Sequence, residues 1–171
     1  MPNWCSNYVT LTNEDTSKID ALEATLTAND EGGETNVLNA LIPRPIEEED
    51  NWYSWNCENW GTKWDISVQD WGRDGPETIW INFDSAWSPP VTAYETLFEE
   101  GWTVDAEYYE PGMGFVGQFT DGSDDYYEFN FENEDWCEGI PDSLIDFAGL
   151  DEEYENWKEW QEDDEDEKEV D

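Results

Sequence analysis

Apolar and polar residues alternate with a period of two in several stretches, the pattern of strands that keep one face in a core and one in solvent. Cys5, Val9 and Leu11 share one parity and mark a first strand, Trp64, Ile66 and Val68 a second, and Ile79, Ile81 and Phe83 a third. Trp102, Val104, Ala106 and Tyr108 mark a fourth. Two further strands follow at Phe115 to Phe119 and Tyr127 to Phe131, parted by the turn Asp121-Gly122-Ser123. The last three strands are predicted to form an antiparallel meander, because both connections are too short for a crossover helix.

Helical spacing appears twice between these strands. Ile19, Leu22 and Leu26 form an apolar stripe after the polar start Asn13 to Thr16. Val91, Tyr94, Leu97 and Phe98 form another, opened by Pro89 and Pro90 and stopped by Gly101. Strand, helix, long insertion, strand, strand, helix, strand is the order of an α+β fold: a ferredoxin-like βαββαβ antiparallel sheet with helices on one face, extended by a C-terminal β-meander. Residues 1–149 are predicted to form this domain, with a Trp-rich insertion at about 29–63. Trp52, Trp55 and Trp60 of the insertion and Trp64 just after it are read as closing the core, the sharper alternative being an aromatic platform for sugars or bases. Residues 150–171 are read as an acidic C-terminal helix and tail. Within them Tyr154, Trp157 and Trp160 recur every third residue on a helix able to dock, and Glu162 to Val170 form a solvated run of charge.

Charge changes the picture. The 171 residues hold 46 Asp and Glu against six Lys and Arg, with no histidine, for a net charge of −40. A nucleic-acid surface needs clustered Lys and Arg to neutralise phosphates, so direct nucleic-acid binding is excluded, and anionic membranes with it. There is no apolar run of about 18 residues such as a membrane helix requires. The start MPNWCSNY lacks the basic and apolar stretches of a signal peptide, so a cytoplasmic protein is expected. Acidity of this degree would by itself favour disorder. Twelve Trp, eight Tyr and seven Phe oppose it, since each can bury about 150–250 Å² and together they supply a core.

Chemistry is scarce. Cys5, Cys57 and Cys137 are too far apart and too few for a disulfide framework or a CxxC metal site, and are read as reduced thiols in or near the core. Without histidine there is no Ser-His or Cys-His pair, no HExxH zinc site and no imidazole base, and no phosphate-binding Gly-rich loop is present. Carboxylate pairs suited to glycoside hydrolysis occur nearly everywhere among 46 acids and so discriminate nothing. Asp121, Ser123 and Asp125 resemble the first ligands of a calcium loop, but Tyr126 occupies the sixth position, where an EF-hand needs glycine. A non-enzymatic protein with no cofactor and no bound metal is expected.

Three segments carry a resemblance. Met1-Pro2-Asn3-Trp4-Cys5, Trp60-Gly61-Thr62-Lys63-Trp64-Asp65, and Ala86-Trp87-Ser88-Pro89-Pro90 followed by a helix ending Glu100-Gly101-Trp102 resemble the YubB ferredoxin-like, or Api92-like, proteins of plasmids, phages and prophages. The resemblance spans about residues 1–131. It implies a ferredoxin-like fold, without an iron–sulfur cluster, and no shared catalytic role. Lys63 and Trp64 match its motif and are assigned to structure, the lysine as a neutraliser of nearby carboxylates. The extreme acidity and the tail after Asp151 depart from the family.

That departure directs the functional reading. Residues 1–149 alone hold 33 acids against four bases, a net of −29. Self-repulsion on this scale destabilises a compact chain and calls for a reason. A globule of this length is about 40 Å across, and 40 Å of duplex DNA carries about 23 phosphate charges. The favoured expectation is therefore a phage or mobile-element DNA mimic that fills the basic cleft of a host DNA-binding or defence protein such as a restriction enzyme or nuclease. Its candidate contact residues are Asp84, Asp105, Glu107 and Glu128 on polar strand faces, with Glu47, Glu48, Glu49, Asp50, Asp124 and Asp125. Two alternatives stand beside it: an acidic surface adapted to high salt, and a protein–protein adaptor built on the Trp-rich insertion.

Overall fold

A computed structural model describes residues 3–32 and 36–168, with side chains as far as 161. In chain order the elements are β1 (Trp4–Thr12), α1 (Thr16–Asp30), α2 (Val37–Leu41), α3 (Trp52–Asn59), β2 (Ser67–Asp74), β3 (Thr78–Ala86), α4 (Val91–Glu99), β4 (Thr103–Glu110), β5 (Phe115–Thr120), β6 (Ser123–Glu128), α5 (Asp142–Ala148) and α6 (Leu150–Lys168). A 3-10 turn at Ile46–Glu48 lies between α2 and α3. The six strands form one antiparallel sheet in the order β2-β3-β1-β4-β5-β6. Its first four strands with α1 and α4 are the ferredoxin-like βαββαβ unit, and β5 and β6 extend it as the meander.

Alternation explains the pairing. Val9 and Leu11 of β1, Ile79, Ile81 and Phe83 of β3, and Val104 and Ala106 of β4 point to the same side and are buried. There they meet Ile19, Leu22 and Leu26 of α1 and Ala93, Tyr94 and Leu97 of α4. Each such large aliphatic side chain removed from water stabilises the fold by roughly 1.5–3 kcal/mol. Asp15 caps α1, its Oδ1 accepting from the Ser17 backbone N–H at 3.1 Å. Phe98 of the second stripe is exposed, and Ala93 takes the buried place beside Tyr94.

The insertion adds α2 and α3 to the same helical layer, where Val37, Leu38 and Trp60 enter the core. Asp65 fastens it: its carboxylate accepts from the backbone N–H groups of Leu38 and Asn39, both at 2.9 Å, and of Ile66 at 2.8 Å. Of the four tryptophans expected to close the core, Trp60 is buried and Trp55 packs against it edge-on, while Trp52 and Trp64 are exposed. The second strand accordingly starts at Ser67 and not at Trp64, because residue 65 is spent on capping α2.

A second cluster lies on the opposite sheet face. Tyr109 of β4 and Val116 of β5 pack against Trp136, Ile140, Leu144 and Leu150, and Tyr127, Phe129, Phe131 and Tyr154 close its margin. Thus α5 and the start of α6 cover one end of the face that α1 and α4 leave free. The Tyr109 hydroxyl donates to the Glu153 carboxylate and ties α6 to the sheet. Trp160, expected to dock with Tyr154 and Trp157, is exposed. The expected solvated run Glu162 to Val170 lies, in its side chains, outside the described residues. Only Cys5 among the thiols is buried; Cys57 and Cys137 are exposed, which corrects their placement in the core.

Candidate functional site

Strand parity sets what the uncovered part of the second face presents. Opposite one another across the sheet stand Asp70 on β2, Asn82 on β3, Tyr8 on β1, Glu107 on β4, Gln118 on β5 and Asp125 on β6. One step along, Gly72, Trp80, Thr10 and Asp105 form the next row. On the other side Asp84 pairs with Ser67 and Ser6. Neighbouring strands lie about 4.8 Å apart, and residues two apart on a strand about 6.7 Å, so these acids occupy a regular lattice.

Neutral donors hold the carboxylates in place. Asp84 accepts from the Ser6 hydroxyl at 3.2 Å and the Gln69 amide at 3.1 Å. Asp105 accepts from the Thr120 hydroxyl at 2.8 Å, and Asp125 from the Gln118 amide at 3.2 Å. Such bonds orient an anion without cancelling its charge. The Glu107 carboxylate has no hydrogen bond or ion pair among the described residues, and partial burial raises its pKa. No acid of this face forms a salt bridge with a cation among the described residues whose side chains are placed. Arg73 points to the helical side and pairs with Asp20 and Glu23, and Lys158 pairs with Glu155. Lys18 sits by Trp102, and Arg44 donates to Asn56. Lys63 lies over the rings of Trp64 and Trp87, 4.5 and 4.9 Å from their centroids, with no carboxylate partner. Its expected role as a neutraliser of acids is therefore corrected to one of packing among rings.

The ten acids singled out from the sequence divide into three groups. Asp84, Asp105, Glu107 and Asp125 share the open sheet face. Asp124 and Glu128 stand on the opposite parity of β6, across from Phe119 and Phe115. Asp124 accepts from the Tyr108 hydroxyl at 2.8 Å, and burial outweighs that bond and raises its pKa. Glu47, Glu48, Glu49 and Asp50 lie on the connection from α2 to α3, within the helical layer. The placement of all strand acids on one polar face is thus corrected: Tyr127 of β6 pairs with Val116 and faces the second cluster rather than the helical layer, which puts Glu128 on the helix-side parity. Asp70, Tyr8 and Trp80 belong to the open face and were missed. Their shared signal is a place on the polar parity of strands whose other parity is apolar.

No cluster of three or more Cys, Asp or Glu among the described residues is arranged to hold a metal ion, and no helix among them is long and apolar enough to cross a membrane. No family model and no curated protein matches the chain. Among solved structures, the crystal structure of a protein Api92 from Yersinia pseudotuberculosis, of family DUF1281, is similar over 76% of this chain and 99% of that one, with a TM-score of 0.49 and 11% sequence identity. Similarity at that level carries no function from one chain to the other.

Proposed function

We propose that the protein is a non-enzymatic DNA mimic that works in a host cytoplasm by occupying the basic cleft of a DNA-binding or defence protein. The observation that carries this reading is the open sheet face: Asp84, Asp105, Glu107 and Asp125, joined by Asp70, on paired strands and in no salt bridge with a described cation. Carboxylates already fixed by neutral hydrogen bonds lose little freedom on binding, so more of their attraction for a cationic groove survives as affinity. The sequence resemblance to proteins of phages and plasmids suits such an inhibitor, whose value lies in disabling a host factor. The test is capture of host proteins on the immobilised full chain at low salt, followed by elution with duplex DNA. Release of a DNA-binding protein by duplex, with release by free chain at similar charge concentration, is expected; captured proteins indifferent to duplex would oppose the reading.

A second reading is favoured by the acids that lie elsewhere. Glu47 to Asp50, Asp124 and Glu128 surround other faces, as a surface adapted to high salt would have them. Such a protein unfolds at low salt and recovers at high salt, and its host's other proteins share its composition. A DNA mimic stands out from its own proteome and stays folded at low salt.

A further inference from the structure

At the centre of the open face, Tyr8 and Trp80 stack with ring centroids 6.0 Å apart and an interplanar angle of 19°. Two large aromatic side chains on the polar parity of the central strands are not required by the core, which lies on the other side. Trp80 has room there because residue 72, directly across from it, is glycine: a Cβ at that position would come within 2.6 Å of the indole. Tyr8 is 37% exposed and is ringed by acids. Glu107 stands directly opposite it, and Asp84 and Asp105 are its diagonal neighbours on β3 and β4. Diagonal neighbours lie about 7–8 Å apart, within reach of a single bound side chain.

Aromatic rings with carboxylates around them suit one kind of side chain. A guanidinium is planar, stacks on rings, and offers a fork of N–H donors to carboxylates beside the stack; an ammonium can do only part of this. Glu107, next to Tyr8 and without a partner of its own, is the acceptor left free for that fork. A base would stack equally well, but its phosphates would meet three carboxylates. We infer that the Tyr8–Trp80 pair is an arginine seat, through which a cationic partner docks an exposed Arg on the open sheet face with Glu107 completing the contact. This rests on the proposed function and narrows it: the cleft that the protein fills must present arginine, and lysine of equal charge does not replace it.

The experiment compares fluorescein-labelled octa-arginine and octa-lysine binding to the full chain by anisotropy at one fixed low salt concentration. Octa-arginine is expected to bind about two- to fivefold more tightly, given the energy of exposed cation–π contacts. Tyr8→Leu and Trp80→Leu are expected to remove that preference while leaving octa-lysine affinity within about twofold, and Tyr8→Phe to retain it. Two leucine variants, each checked for native circular dichroism, keep the test valid should one fail to fold. Equal binding of both peptides would overturn the arginine seat while leaving DNA mimicry standing, whereas failure of both to bind would count against both. Tight binding of a dT12 oligonucleotide lost in Tyr8→Leu would overturn it in favour of a base-stacking surface.

Discussion

The indole of Trp80 lies over Gly72, in the space that any larger residue on β2 would fill. The pair belongs to the open face, so the glycine shapes the surface and not the core. Gly72→Ala is expected to force the indole aside and cost about 1–3 kcal/mol, as over-packing does. Urea unfolding would show a lower midpoint at unchanged slope, and near-UV circular dichroism a changed tryptophan signal.

Asp65 holds the insertion to the sheet through three backbone N–H groups. Asp65→Ala leaves those donors unpaired in a part-buried site and is expected to cost about 3 kcal/mol. Asp65→Asn, which keeps one acceptor oxygen, is expected to cost less. Comparing the two midpoints in urea separates loss of the cap from loss of charge.

Mild acid is expected to stabilise this protein. Burial is the first cause that raises Asp65, Asp124 and Glu107 above their ordinary values of 3.8, 3.8 and 4.5. A carboxyl raised in the folded state favours folding when protonated: its contribution is complete below the ordinary value and is lost as pH rises through the raised one. Asp15, held low chiefly by the Ser17 hydroxyl, has the opposite sign, but it is exposed and single. Relief of repulsion among the surface acids adds to the gain. The melting temperature should therefore rise as the pH is lowered from neutrality towards those ordinary values at constant ionic strength.

Thiol reactivity should separate the cysteines. Cys5 is buried, and desolvation pushes its thiol up to about 12, so it carries almost no thiolate near neutral pH. Cys57 and Cys137 are exposed. Titration with an aromatic disulfide reagent is expected to modify two thiols in the native protein and the third only after denaturation.

The ferredoxin-like unit was legible because its strands are one-sided and its helices amphipathic, so Val9, Ile81, Val104 and Leu22 each declared their side by spacing alone. The boundaries that failed did so where apolar residues alternate for another purpose. Trp64 and Ile66 extend the alternation of Val68 back beyond the start of β2, although Asp65 between them caps α2. Tyr127, Phe129 and Phe131 alternate, yet two of them serve the second cluster beyond the end of β6. The tight turn Asp121-Gly122, with φ of 51° and 76°, places Ser123 already in that strand. The helix α5 went unread although Pro141 and Gly149 bracket its apolar residues. At the candidate site, parity found Asp84, Asp105 and Glu107. It could not reveal Tyr8 and Trp80 as a pair, because their meeting depends on the order in which β1 and β3 assemble.

The most direct test of the central claim removes the same charge from two places. Asp84→Asn, Asp105→Asn, Glu107→Gln and Asp125→Asn together remove four charges from the open face, and Glu47→Gln, Glu48→Gln, Glu49→Gln and Asp50→Asn remove as many from the helical layer. Each set is measured for displacing duplex DNA from the captured partner at fixed salt. The first set is expected to weaken displacement at least about tenfold, the equivalent of some 1.4 kcal/mol, and the second to change it little. Equal losses in both sets would mean that bulk charge, and not this face, does the binding, and would contradict that claim.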